Sequence, residues 1–97
     1  MKFRIKYLPA AATNRDEIKA HLSQFYKGTA KRFFALLKEK TYRLKEHPYL
    51  CPTSEYNPNY RQMVVEDYLV FYVVKDDEKI IEIHRILHGS MDISKHL

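Results

Sequence analysis

The second half of the chain leaves little freedom in how it can fold. Residues 60–65, 68–74 and 79–88 are three runs rich in β-branched and aromatic residues, separated only by Glu66-Asp67 and Lys75–Glu78. Such residues suit a pleated, half-buried surface. Turns this short join antiparallel neighbours, because a parallel crossover needs a dozen residues or more. The segment is therefore expected to form an antiparallel meander. One face of a meander needs a covering layer, and the first half of the chain can supply it.

Residues 2–8 alternate, with Phe3, Ile5 and Tyr7 on one side and Lys2, Arg4 and Lys6 on the other. This is the period of a half-buried strand, and Pro9 closes it. Asn14 and Glu17 have capping-box spacing. Ile18, Leu22 and Phe25 follow as the apolar stripe of a helix of about three turns. Gly28 interrupts that helix, and Thr29 is placed to cap a second one, expected from Ala30 to His47. Ala30, Phe33, Phe34, Leu37 and Leu44 recur there at helical spacing, and Lys31, Arg32, Lys38, Lys40, Arg43 and Lys45 fill most of the remainder. Pro48 ends the helix. So few residues join the two helices that an antiparallel helical hairpin is expected. Residues 48–59 hold three prolines and two asparagines and read as a loop. Met91–Leu97 either adds a short helical turn or frays.

The element order is thus β-α-α-β-β-β. The expected class is α+β, with the hairpin laid across one face of a curved antiparallel sheet whose uncovered side is basic. A chain of 97 residues is expected to be one domain, 1–97. The formal charge of +5 favours polyanionic partners such as nucleic acid, a ribosome or an acidic protein. Cys51 is the only cysteine, so an internal disulfide and a CxxC motif are both excluded. A reducing cytoplasm fits. The basic-apolar alternation of residues 2–8 offers no continuous apolar signal segment, and no stretch has the length of a membrane span.

Several local patterns occur in a telling order. They are Leu44…Pro48, Tyr60-Arg61-x-Met63, the hairpin strand Tyr68–Val73, and Ile83-His84-Arg85-Ile86-Leu87-His88-Gly89-Ser90-Met91-Asp92. Together they resemble the RelE/ParE superfamily of bacterial toxins. The last stretch is the most specific, with an arginine, apolar residues, His-Gly and an aspartate shortly after. The resemblance implies the toxin of a type II toxin–antitoxin module, held inactive by a cognate antitoxin and needing no cofactor or metal. RelE-like members cleave mRNA on the ribosome; ParE-like members poison DNA gyrase without chemistry of their own. Fold alone does not choose between them.

RNA cleavage by a 2′-hydroxyl needs a base, an acid and fixed positive charge around the phosphorane-like state. By resemblance, Arg61 stands where nucleases carry a basic residue, and His88 is a candidate acid or base. Tyr68, however, stands where they place an arginine, and Gly89-Ser90-Met91 replaces their basic cluster. These departures tilt the expectation towards a ParE-like toxin. A metal-independent endoribonuclease is the alternative, and a decayed toxin kept as a binding module is the third reading. Candidate contacts to nucleic acid or target are Arg61, Arg85, Lys45 and Tyr68. Each has a plain structural alternative. His88 can be a strand-end histidine bonded to backbone near Gly89. By strand parity Arg85 shares a face with Ile81, Ile83 and Leu87, and it would pair with Glu82 or Asp92 only through a bulge. The helix-two cations can be a solvated face or an electrostatic footprint. Tyr49, Tyr56 and Tyr60 read as loop packing or as a partner-contact edge. Glu82 and His84 fall short of a metal site without further ligands.

Overall fold

The computed structural model describes residues 2–25 and 28–97. The elements are β1 (Arg4–Tyr7), α1 (Pro9–Leu22), α2 (Thr29–Glu46), β2 (Arg61–Val65), β3 (Tyr68–Lys75), β4 (Ile80–His88) and a 3₁₀ turn (Ile93–Lys95). The strands form one sheet in the order β1-β4-β3-β2. The meander is antiparallel, as its short turns require. Glu66, at φ 53°, helps the chain reverse between β2 and β3. The sheet as a whole is mixed, not wholly antiparallel. β1 lies parallel to β4, with Arg4 opposite Ile80 and Tyr7 opposite Ile83. The physical reason is the connection: two helices and a meander separate β1 from its neighbour, and so long a path does not dictate strand direction.

The helix boundaries differ from the sequence expectation at their starts. α1 begins at Pro9, with no side-chain cap at Leu8. A proline at the first helical position lacks only an N–H that has no partner there anyway. Asn14 therefore lies inside α1 rather than at its cap, and its Oδ1 accepts the Ile86 N–H at 3.1 Å. Phe25 lies past the end of α1 and is 56% exposed. At the start of α2, Gly28 rather than Thr29 is the capping residue; its φ of 89° is open to glycine at no steric cost. α2 ends at Glu46, just before His47-Pro48.

Both helices cover one face of the sheet. Ala11 and Ile18 of α1 and Phe33, Leu37 and Leu44 of α2 close over Met63, Val65, Val70, Tyr72, Ile81, Ile83 and Ile86. A bulge reorganises β4: Phe71 pairs with Arg85 but Tyr72 pairs with Ile83, so His84 is an extra residue. An extra residue reverses the in-out alternation beyond it. Strand parity places Ile86 opposite Ile83; after the bulge, both lie on the helix face. Arg85 moves to the other face with Phe71 and Leu87. That face carries a second small apolar cluster, in which Phe71, Leu87 and Ile93 are buried and Tyr60, Leu69 and Leu97 pack beside them. The C-terminal residues thus form a short turn, anchored through Ile93.

Leu44 is fully buried and Leu50 is 59% exposed. Leu44→Ala should lower the unfolding free energy by about 2–5 kcal/mol. Leu50→Ala should change it by no more than about 0.5 kcal/mol. Urea unfolding of both variants checks the assignment, and equal losses would contradict it.

Candidate functional site

Arg61 opens β2 opposite Tyr72. Its guanidinium donates to the Cys51 carbonyl at 2.6 Å and stacks 4.7 Å from the centre of the Tyr49 ring. The same loop is held at further points. The Tyr72 hydroxyl donates to the Pro48 carbonyl (3.0 Å), and the Gln62 N–H donates to the Pro52 carbonyl (3.0 Å). The Ser54 N–H donates to the Tyr60 carbonyl at 2.7 Å, and the Tyr49 hydroxyl donates to Asp76. The proline-rich loop thereby runs along the outer side of β2 and satisfies backbone groups that an edge strand would otherwise present. Burial pushes the Tyr72 phenol well above the usual tyrosine range, neighbouring Cys51 adds to the rise, and the Arg61 charge opposes it.

A second group of candidates gathers where β4 ends. Tyr68 and His88 are cross-strand neighbours, their rings edge to face at 5.1 Å. His88 Nδ1 accepts the Ser90 N–H at 3.1 Å and lies 2.7 Å from the Ser90 hydroxyl. A backbone N–H can only donate, so Nδ1 must be the bare nitrogen and the neutral ring carries its proton on Nε2. Just upstream, the Gly89 N–H donates to the Asp67 carbonyl at 2.9 Å, where a Cβ would stand 3.4 Å from that oxygen. Burial, and then the Asp67 charge, raises the Tyr68 phenol.

Arg85 is the anomaly of this region. Its Nε is buried without a hydrogen-bond acceptor among the described residues. Neither expected carboxylate forms an ion pair with it, although a bulge is present. Glu82 meets His84 Nε2 at 3.2 Å, and Asp92 meets the Lys95 ammonium at 3.8 Å. A buried donor without an acceptor costs about 1–3 kcal/mol. Arg85 and His88 both line a cleft of about 600 Å³ along the margin of β4 beyond the end of β1, walled by α1 and the C-terminal residues.

The sequence candidates do not form one cluster. Arg61 pairs with Tyr72 and His88 with Tyr68, so they lie four residues apart along β3 and on strands either side of it. Standard strand dimensions put them roughly 16 Å apart. One phosphate group cannot touch both. Lys45 is elsewhere again: its carbonyl accepts the Phe3 N–H at 2.9 Å and its ammonium lies 5.7 Å from the Tyr42 ring. Tyr56 and Tyr60 pack edge-on against Phe71, and Tyr60 also meets the His84 ring. Among the described residues, no group of three or more His, Cys, Asp or Glu side chains converges as a metal would require, and no helix is long and apolar enough to cross a membrane.

One feature escaped the sequence reading. A groove between β1 and the helices has an apolar floor that includes Ile5, Phe34 and Leu37, and its cations are Arg15, Lys38 and Lys45. The Arg15 guanidinium lies 4.5 Å from the Tyr7 ring. Among the described residues, no carboxylate lines this groove. Its existence depends on which strand neighbours β1, and that pairing leaves no local trace in the sequence.

A family model described as the ParE toxin of the type II toxin-antitoxin system, parDE, matches residues 5–93. No curated protein sequence matches the chain. Among solved structures, the chromosomal ParDE system from P. aeruginosa is similar, with TM-score 0.72 and 23% identity over 90% of this chain and 96% of that one. The RelBE2 toxin–antitoxin complex from Mycobacterium tuberculosis has TM-score 0.66 and 14% identity, covering 91% and 99%. The intact E. coli RelBE complex has TM-score 0.65 and 12% identity, covering 92% and 99%. At such identities these likenesses speak for the fold.

The tyrosines give a test of the loop anchorage. The raised folded-state pKa of Tyr72 means that its stabilisation is whole below the unfolded value of 10.0 and declines as pH rises past it, when only the unfolded chain releases the proton. The thermal midpoint should therefore drop above about pH 10. Tyr72→Phe should lower the neutral-pH stability by about 1 kcal/mol and make the alkaline fall shallower. An alkaline fall as steep as in the unmodified chain would count against the burial of the Tyr72 phenol.

Proposed function

The chain belongs to the family of ParE toxins of type II toxin–antitoxin systems, and from that premise we propose that it arrests growth in the cytoplasm by binding DNA gyrase, without catalysing a reaction itself, until a cognate antitoxin covers it. The observation that carries the choice of target is the scatter of the nuclease candidates. Arg61 is engaged by the Cys51 carbonyl and the Tyr49 ring, two strands away from His88. Tyr68 and Gly89-Ser90-Met91 bring no phosphate-stabilising charge. Transition-state stabilisation by fixed charge is worth several kcal/mol per contact and depends on placement.

The second reading is a metal-independent endoribonuclease acting on ribosome-bound mRNA. His88 favours it, because its ring lines the cleft and its Nε2–H can donate a hydrogen bond to a phosphate oxygen there. Arg61 would then hold a different phosphate from the one His88 serves.

The antitoxin is expected to be acidic where it meets the groove between β1 and the helices. An amphipathic segment laid there would set apolar side chains on Ile5, Phe34 and Leu37 and carboxylates beside Arg15, Lys38 and Lys45. The neighbouring hollow between α1 and α2, lined by Lys19, Lys31 and Phe34 among others, extends the surface.

Induced expression separates the readings. The gyrase reading expects growth arrest, double-strand breaks and a DNA-damage response, with mRNA left intact. An undamaged chromosome in arrested cells would overturn it. Ribosome-dependent mRNA cleavage lost on His88→Ala would establish the nuclease instead, and unaffected growth would mark a decayed toxin. The expected antitoxin is a short acidic protein encoded beside the toxin gene, and co-expression of such a protein should restore growth. Lys38→Glu with Lys45→Glu should weaken antitoxin binding at least about tenfold, equivalent to about 1.4 kcal/mol, as measured by calorimetry.

A further inference from the structure

The cations of the groove between β1 and the helices differ in how they are held. Lys38 is exposed, and the Lys45 ammonium lies 5.7 Å from the exposed Tyr42 ring. Arg15 is half-buried, and its guanidinium sits 4.5 Å from the centre of the half-buried Tyr7 ring. Among the described residues, no carboxylate forms an ion pair with Arg15. Tyr7 supplies no counter-charge. Burial raises its phenol and the Arg15 charge opposes the rise, so the ring stays neutral at physiological pH.

The position of Arg15 is as particular as its support. Arg15 and Phe34 line both the groove and the neighbouring hollow between α1 and α2. A segment that fills the two must pass these side chains. Asp16 lines the hollow but not the groove, so a negative group of the occupant is favoured on the groove side of Arg15. Ile5, Phe34 and Leu37 call for apolar side chains beside that negative group. An acidic amphipathic polypeptide offers both. A nucleic acid would bring a charge with every nucleotide and leave the apolar floor uncovered.

On the antitoxin reading of the groove, on which this rests, we infer that Arg15, positioned by Tyr7, is the residue by which the groove selects its partner: it receives an Asp or Glu side chain of the bound segment through a pair of parallel hydrogen bonds. A guanidinium presents a rigid fork that matches a carboxylate, and it keeps these in-plane donors when it lies on an aromatic face. A lysine meets the same carboxylate as a point charge, and an exposed one must first be immobilised from many rotamers. Because Tyr7 restrains Arg15 beforehand, less freedom is lost on binding. Arg15 thus selects by shape and charge together, and Lys38 by charge alone.

A displayed library of random peptides, selected on the whole chain, supplies the probe. Enriched peptides should carry an Asp or Glu at a constant spacing from apolar residues. Calorimetry with the most enriched peptide, made synthetically, reads the affinity. Arg15→Lys keeps the charge and should weaken binding at least about tenfold, whereas Lys38→Arg should change it less than about twofold. Replacing the peptide's acid by its amide should remove the difference between the unmodified chain and Arg15→Lys. Tyr7→Leu should reduce the cost of Arg15→Lys to about twofold, and Tyr7→Phe, which keeps the ring, should leave it at about tenfold. Arg15→Lys binding as tightly as the unmodified chain overturns the proposal, and so does a loss that is the same for the acid and amide peptides. Binding that is lost in Lys38→Glu with Lys45→Glu but kept in Arg15→Lys overturns the role of Arg15 alone. Enriched peptides that lack an acid, or that bind all these variants equally, overturn the groove reading with it. Single-stranded DNA of random sequence that binds more tightly than the peptide and displaces it overturns both in favour of a nucleic-acid surface.

Discussion

The hydrogen bond from the Ile86 N–H to the Asn14 side chain, 3.1 Å long, ties the first helix to the strand on which the sheet depends. β4 is paired on both sides along its first half, to β1 and β3. β1 stops at Tyr7, opposite Ile83, and among the described residues the rest of β4 has no strand on that side. A buried amide left there would be costly, and a helical side chain answers it. Together with the Leu8 N–H to Ile83 carbonyl bond and the packing of Ala11 and Ile18, this contact holds α1 over β4 and borders the cleft at the strand margin.

Much of the architecture is written in local pattern. The meander could be read because short turns permit one strand direction, and the helices because their apolar residues recur with helical period. What escaped was decided by partners distant in the chain. Asn14 has the spacing of a cap but is used as an acceptor for a residue 72 positions later. β1 has the alternation of any half-buried strand, which says nothing about whether its neighbour runs with it or against it. The bulge at His84 adds one residue to β4 with no glycine or proline to announce it. It redirects Ile86 inward and Arg85 outward, so strand parity failed where the candidate site begins.

The candidate residues were legible as types and not as a constellation. His88 and Gly89 mark a strand end, and the ring does meet backbone there. Arg61 looked available for a phosphate because its engagement comes from a loop ten residues earlier, through a carbonyl that no side-chain pattern encodes. Arg85 looked like an arginine in search of a carboxylate. Glu82 and Asp92 were both near enough in sequence, yet they meet His84 and Lys95. Local rules favour the nearest opposite charge, whereas the fold distributes partners according to which face each side chain reaches.

The pairing of Arg4 with Ile80 has a consequence for how the protein comes into being. β1 leaves the ribosome well before β4, its partner in the sheet. The nascent chain cannot complete the sheet until β4 has been made, since β4 separates β1 from β3. Contacts so remote in sequence also form slowly, because a long loop must close before they are made. A prematurely terminated polypeptide would lack the central strand and with it the surface for any target. The topology thus withholds the complete sheet, and every surface built on it, until β4 has been synthesised.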